Sequence, residues 1–421
     1  MGENYKKKLV SNFAALSVIQ GANFVLPIIV MPFVIRKIGA DRFGLVSVAQ
    51  VVMIFLATLA DYGFNLTATR DVALYKGDIQ RTSRIFFTVL ASKFILCACT
   101  GVLLLGLIRF VPFIRDNYIL YLLGFTYVIG QSSLASWFFQ GMEKMQYITA
   151  TTLFARLIFV ILVFTFIRHR GDEILFLLFL GIGNIIAGLF SIHLAFRMFG
   201  LRWFRPLWSD ILTELKEGWQ VTVSNLSINA YQYINVLVLR AFTNDLIVGY
   251  YSIAEKIFFA LRQILGIFSQ VIYPRVCQLA IKGKRQVSGF LKDFYLPFLL
   301  LVTLGCIVVF IFSSWIVHLF LNSPPDLPIL LLRILAFVPV IVCLNIPAYQ
   351  ILLAFNHKRS YLRILAGATL VNLAANLLLC NAWGPVGTAL SIIVTELFVT
   401  IGLNLELYKN NLSAFINPGS I

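Results

Sequence analysis

RKIGADRFGLVSVAQ at residues 36–50 comes back as RAFTNDLIVGYYSIAE at residues 240–255. Gly44-x-x-Ser47-x-Ala49-Gln50 in the first stretch matches Gly249-x-x-Ser252-x-Ala254-Glu255 in the second, and each copy opens a long apolar run. Two shorter echoes keep the same order: Ser11-Asn12 with Ser224-Asn225, and Lys144-Met-Gln-Tyr147 with Lys358-Arg-Ser-Tyr361. Matches in one order read as a duplication, and many membrane transporters are two copies of one helical bundle. The predicted organisation is a six-helix bundle over residues 1–210 followed by a second over residues 211–421. Because six is even, both halves enter from the same face and are related by an axis along the membrane normal.

The runs between these motifs are bilayer spans by length. A hydrocarbon core about 30 Å thick takes roughly 20 apolar residues of helix. Cutting the chain where charges, Pro or Gly cluster predicts about twelve transmembrane helices: Leu9–Ile35, Phe43–Leu66, Ile85–Ile108, Tyr118–Phe139, Tyr147–Ile167, Ile174–Phe196, Trp219–Leu239, Ile247–Tyr273, Phe294–Phe312, Ile329–Phe355, Tyr361–Cys380 and Val386–Tyr408. The expected class is an all-α integral membrane protein. Composition agrees, since 60% of the 421 residues are hydrophobic and only 12% are charged, about half the charged share of soluble domains. The N-terminal MGENYKKK leads into an apolar run longer than a signal-peptide core and without a small-residue cleavage site, so it is expected to stay as the first span.

The net charge of +16 does not indicate nucleic acid, because the Lys and Arg sit in short loops between apolar runs instead of gathering on one solvated face. They report topology. With a cytoplasmic N-terminus, cytoplasmic loops hold more than twice as many Lys and Arg as the opposite side, which predicts both termini in the cytoplasm. No loop is long enough to fold alone, which argues against a membrane glycosyltransferase or polymerase and for a protein that is not an enzyme. The six cysteines lack metal-ligand spacing and read as small hydrophobes. Gly283-Lys284 lacks the first Gly and the Ser/Thr of a nucleotide-binding loop, so neither a cofactor nor a metal is expected.

Ionisable groups at membrane depth cost about 2.5–3.5 kcal/mol each on insertion scales and normally face a bundle interior or a wet cavity. Lys93, Arg156, Lys256 and Arg262 are the candidate lining of a cationic substrate cavity. Asp61, Glu255 and Glu396 are the candidates for ion coupling. The alternative is structural pairing, for instance Asp61 with Lys93. Asn225, Asn229 and Gln232 fall on one stripe of the seventh span, and Asn12 and Asn23 lie on the first. As repeat mates, these two spans predict a polar seam, whereas any single amide there could equally be interhelical glue.

Four stretches carry a family resemblance: PFVIRKIGADRFGLVSVAQV at 32–51, LADYGFNLTATRDVAL at 59–74, SWFFQGMEKMQYITA at 136–150 and GYYSIAEKIF at 249–258, the last followed by YPRV at 273–276. The chain resembles the Wzx-type O-antigen flippases, in the polysaccharide transporter branch of the MATE-like (MOP) superfamily. That resemblance implies two six-helix bundles that alternate access. It also implies transfer of an undecaprenyl-pyrophosphate-linked oligosaccharide, an O-antigen or capsule repeat unit, from the cytoplasmic to the periplasmic leaflet. A proton or sodium gradient is the implied drive. A polysaccharide polymerase and a chain-length regulator are the implied partners, beside the lipid-linked oligosaccharide and membrane lipids. The runner-up is a drug or metabolite exporter of the same superfamily, which would want an acidic cavity for cationic substrates.

Overall fold

The computed structural model describes residues 29–412, which fold as helices joined by short turns, with no strand among the described residues. Nine helices or joined helix pairs among them are long and apolar enough to cross a bilayer. Asn12 and Asn23, and most of the expected first span, lie outside the described residues. The described chain falls into two compact units, one ending at Asn229 and the other beginning at Ala230.

In the first unit α1 (residues 29–38) stops at Gly39, whose φ of 90° lies where only glycine is at ease. It is followed by α2 (Ala40–Asp61), α3 (Thr67–Tyr75), α4 (Ile79–Phe110), α5 (Pro112–Arg115), α6 (Tyr118–Ser133), α7 (Ser136–Gly141), α8 (Met145–Phe166) and α9 (Glu173–Phe199). The start of α4 is set by Asp78, whose carboxylate accepts from the backbone N–H of Gln80 and Arg81 at 2.9 and 3.0 Å. The first part of α10 (Trp208–Phe242) completes the unit, because the boundary falls inside that helix. The expected seventh span lies on α10 but is not among the nine apolar helices, and its amides and flanking charges account for that.

Small residues bring α6 and α9 together. A Cβ placed on Gly181 would lie 2.0 Å from Thr126 Oγ1, and one on Gly188 would lie 2.5 Å from Ser133 Cβ. Lipid tails supply no hydrophobic drive for helix pairing, so this close approach and its dispersion contacts do the holding. Gly181→Leu is therefore expected to wedge the pair apart and cost at least the ~1–3 kcal/mol of an overpacked core. A thermal melt of the detergent-solubilised variant checks this, and an unchanged midpoint would show that the seam does not matter.

The run Trp137-Phe138-Phe139 is wholly buried. Its rings stack around Phe86 and Phe199, with centroids 5.7 Å from Trp137 to Phe86 and 5.3 Å from Phe138 to Phe199. Gly141 lets α7 lie directly on α3, since a Cβ there would meet Val72 Cβ at 2.7 Å. Around this end of the unit run the ion pairs Lys76–Glu143 (3.0 Å), Arg70–Glu217 (2.7 Å) and Arg84–Asp210 (2.7 Å). Burial, with Asp71 and Glu217 nearby, pushes the Glu214 carboxyl up to about 7, against the pull of Arg70. The opposite end is tied by Arg42–Glu173 and Arg170–Asp41, each 3.0 Å. Pairs this exposed fix geometry more than they stabilise.

The second unit takes the rest of α10, then α11 (Asp245–Lys282), α12 (Lys284–Phe290), α13 (Leu296–Ile311), α14 (Ser313–Phe320), α15 (Asp326–Ala336), α16 (Val338–Ala354) and α17 (Lys358–Lys409). The last two expected spans both lie on α17, which breaks at Gly384 with φ 57° and ψ −132°, followed by Pro385. A side chain at Gly384 would be strained, and Pro385 has no N–H to continue the ladder. The core gathers Ile351 and Leu352 of α16 with Leu403 and Leu407 of α17. On α13 only Cys306 is buried, while Leu300, Leu301 and Leu304 stand exposed. A water-facing helix could not carry that surface, but a lipid-facing one can.

Candidate functional site

Each unit carries a polar chamber among its apolar helices. In the first, α2 ends on Asp61 and α4 passes beside it, so that Lys93 Nζ lies 2.9 Å from Asp61 Oδ1. The Lys93 side chain is only 1% exposed, whereas Asp61 retains 21%. The amine also approaches the Leu134 carbonyl at 3.5 Å, where α6 has ended and that carbonyl has no helical partner. Asn65, one turn beyond Asp61, donates to its Oδ2 at 2.6 Å. From α10, Asn229 donates to Thr58 Oγ1 at 2.6 Å, and from α6, Gln131 donates to the Tyr127 hydroxyl at 3.0 Å. With Asn225 and Ser136 these groups line a cavity of about 320 Å³. That is the lower end of the ~300–1,000 Å³ range of ligand pockets.

The second chamber has almost no room. Its void is about 10 Å³, close to the space of one water, and is lined by Tyr231, Gln232, Asn235, Glu255, Arg262, Asn372, Thr395 and Glu396 among others. Glu396 of α17 is buried and accepts from the Tyr231 hydroxyl, while the Arg262 guanidinium lies 3.4 Å from the same carboxylate oxygen and 5.2 Å from the Tyr231 ring centre. Asn376 donates to Asn235 at 2.8 Å and Asn372 to Thr395 at 3.1 Å. Buried Glu255 Oε1 has no hydrogen-bond partner among the described residues. A buried acceptor without a donor is costly unless water, a proton or a cation meets it.

The candidates read from the sequence are thus distributed. Lys93 and Arg156 belong to the first unit, Lys256 and Arg262 to the second. Lys93 lines the larger cavity beside Asp61, while Arg156 is half-buried on α8 and lines neither chamber. Arg262 lines the smaller one beside Glu396, and Lys256, next in sequence to Glu255, does not. Each cation that lines a chamber faces a carboxylate there. Asn225 and Asn229 enter the first chamber and Gln232 the second. Sequence reading passed over Thr58, Asn65, Tyr127, Gln131 and Ser136 in the first chamber and Tyr231 in the second. Asp61 and Asn65, like Tyr127 and Gln131, stand four apart, and such polar pairs on one helix stripe within apolar runs were the available signal.

Comparison with known proteins agrees with this architecture. A putative O-antigen transporter of Escherichia coli (strain K12) is 26% identical over 407 residues, covering 96% of this chain and 98% of the relative. An inward-facing multidrug resistance MATE family transporter of the MOP superfamily superposes with a TM-score of 0.66 at 14% identity, covering 96% of each chain. The lipid II flippase MurJ in an inward closed conformation superposes with a TM-score of 0.58 at 11% identity, covering 88% of this chain and 90% of that one. The structural likenesses establish the MATE-like fold and no more. Residues 9–280, well over half of the sequence, match a family defined by its own pattern, and the chain belongs to the polysaccharide biosynthesis protein family, Polysacc_synt.

Proposed function

We propose that this protein is a flippase that carries an undecaprenyl-pyrophosphate-linked oligosaccharide, an O-antigen or capsule repeat unit, from the cytoplasmic to the periplasmic leaflet. It works by alternating access between its two halves, with both termini in the cytoplasm of a bacterial inner membrane. It transports and does not catalyse, and it passes its cargo to a polymerase and a chain-length regulator. The observation that carries the reading is the roomy polar chamber, with buried Lys93 and Asp61, inside a chain that aligns end to end with a putative O-antigen transporter. Ionisable and amide groups at that depth mark a path for a polar cargo through lipid.

Ion coupling, in this reading, centres on Glu396 of the second unit. A proton on Glu396 would remove the charge that faces Arg262 and release the guanidinium from its carboxylate partner. Glu255 and Asp61 are the other two coupling candidates. An exporter of cationic drugs would need an uncompensated carboxylate in the larger cavity, and Asp61, its carboxylate, faces an ammonium.

The test is complementation. A strain lacking its own flippase is expected to regain surface polysaccharide when it carries this chain together with the cognate glycosyltransferases. Membrane-inserted protein without polysaccharide would count against the reading, and resistance to cationic drugs in its place would favour the exporter.

A further inference from the structure

Lys93 cannot serve a phosphate as it stands. Its ammonium is enclosed, 1% exposed, and is 2.9 Å from a carboxylate, so an incoming anion would meet the field of Asp61 as well as that of Lys93. What the cavity offers instead is neutral and two-sided. Asn65, Gln131, Asn225 and Asn229 each carry a donor and an acceptor on one planar group, and Ser136 and Tyr127 add hydroxyls. Asp61 keeps a fifth of its side chain open and can accept further bonds. Between these groups lie apolar surfaces of Ile54, Ala57, Leu134 and Ile228. A pyranose matches both textures: each ring hydroxyl donates and accepts, neighbouring hydroxyls are spaced for a carboxylate or amide to bridge, and the C–H faces are apolar. The ~10 Å³ void of the second unit can take water or an ion and excludes a sugar ring.

We propose that the first unit's chamber is a saccharide subsite, which takes a neutral pyranose of the cargo through amides and hydroxyls while the Asp61–Lys93 pair holds its floor and leaves the pyrophosphate to cations elsewhere. The assignment rests on the flippase reading above and names the part of the cargo that the chamber recognises. Selection among repeat units would then reside in Asn65, Gln131, Asn225 and Asn229, and the lipid phosphate common to all such cargos would not contribute to it here.

The test uses the full chain in nanodiscs and saturation-transfer NMR with four probes: glucose, galactose, N-acetylglucosamine and rhamnose. At least one is expected to receive magnetisation from the wild-type protein, and the signal should survive a tenfold excess of inorganic pyrophosphate. It should fall at least fivefold in Gln131→Ala/Asn229→Ala. Should that double variant fold poorly, Asn65→Trp, which places a large ring at an exposed rim position and gives up only the side-chain bonds with Asp61 and Ser136, is expected to give the same loss. No transfer to any of the four sugars, transfer that persists in a folded variant of either kind, or displacement by pyrophosphate would each overturn the assignment. The flippase reading is judged separately, by translocation of intact lipid-linked oligosaccharide. Wild-type translocation without sugar transfer sinks the subsite alone, whereas absent translocation sinks the function whatever the sugars do.

Discussion

Lys93→Met is expected to destabilise the first unit by about 3 kcal/mol, the low end of the cost of removing one partner from a buried ion pair. The low end applies because Asp61, left behind, retains 21% exposure and its bond from Asn65. Asp61→Asn should cost a similar amount, because it strands an ammonium that is almost wholly enclosed. The double variant Lys93→Met/Asp61→Asn removes both charges and is expected to recover most of the loss, giving a coupling energy of a few kcal/mol in a double-mutant cycle. Thermal or denaturant melts of the four purified proteins in one detergent provide the measurement. Additive single losses would mean that the 2.9 Å contact carries no net energy.

Replacing Glu396 with Gln is expected to leave a folded protein that no longer responds to a pH gradient. The amide preserves an acceptor for the Tyr231 hydroxyl but cannot exchange a proton, so the Arg262 contact would be fixed in one state. A one-unit gradient is worth about 1.4 kcal/mol per proton, or roughly tenfold in accumulation, and that factor is what the variant should lose. Glu255→Gln and Asp61→Asn serve as the parallel measurements in proteoliposomes with imposed gradients. Unchanged gradient dependence in all three would remove proton coupling from these carboxylates and leave passive transfer or another ion.

Most membrane-spanning helices from Phe43 onward could be read from apolar run length, because in lipid every backbone group must be satisfied within its own segment, whereas the expected seventh span falls on α10, which is not among the nine helices apolar enough to cross. Run length says nothing of breaks that need a special backbone. Gly384 divides α17 through its own φ, and Gly39 separates α1 from α2 in the same way. The repeat motif pointed to α2 and α11, and those helices do supply Asp61 and Glu255 to the two chambers. Trp137-Phe138-Phe139, within one of the stretches that carry the family resemblance, is core packing and lines neither chamber. Pairing was harder to read than placement. The sequence offers Asp61 with Lys93 as the alternative to a cationic cavity, and those two do meet, whereas nothing in it joins Arg262 to Glu396 across more than a hundred residues. The sequence therefore suggested a net cationic lining, whereas in three dimensions each cation that reaches a chamber faces a carboxylate.

Translocation itself is the most direct measurement. The purified chain is reconstituted into vesicles containing a fluorescent undecaprenyl-pyrophosphate oligosaccharide, and a membrane-impermeant glycosidase is added outside. The account predicts that protein-free vesicles protect the inner-leaflet half of the label, and that vesicles with the chain lose this protection. Persistent protection in vesicles shown to hold folded protein, together with uptake of a cationic dye by the same vesicles, would contradict it.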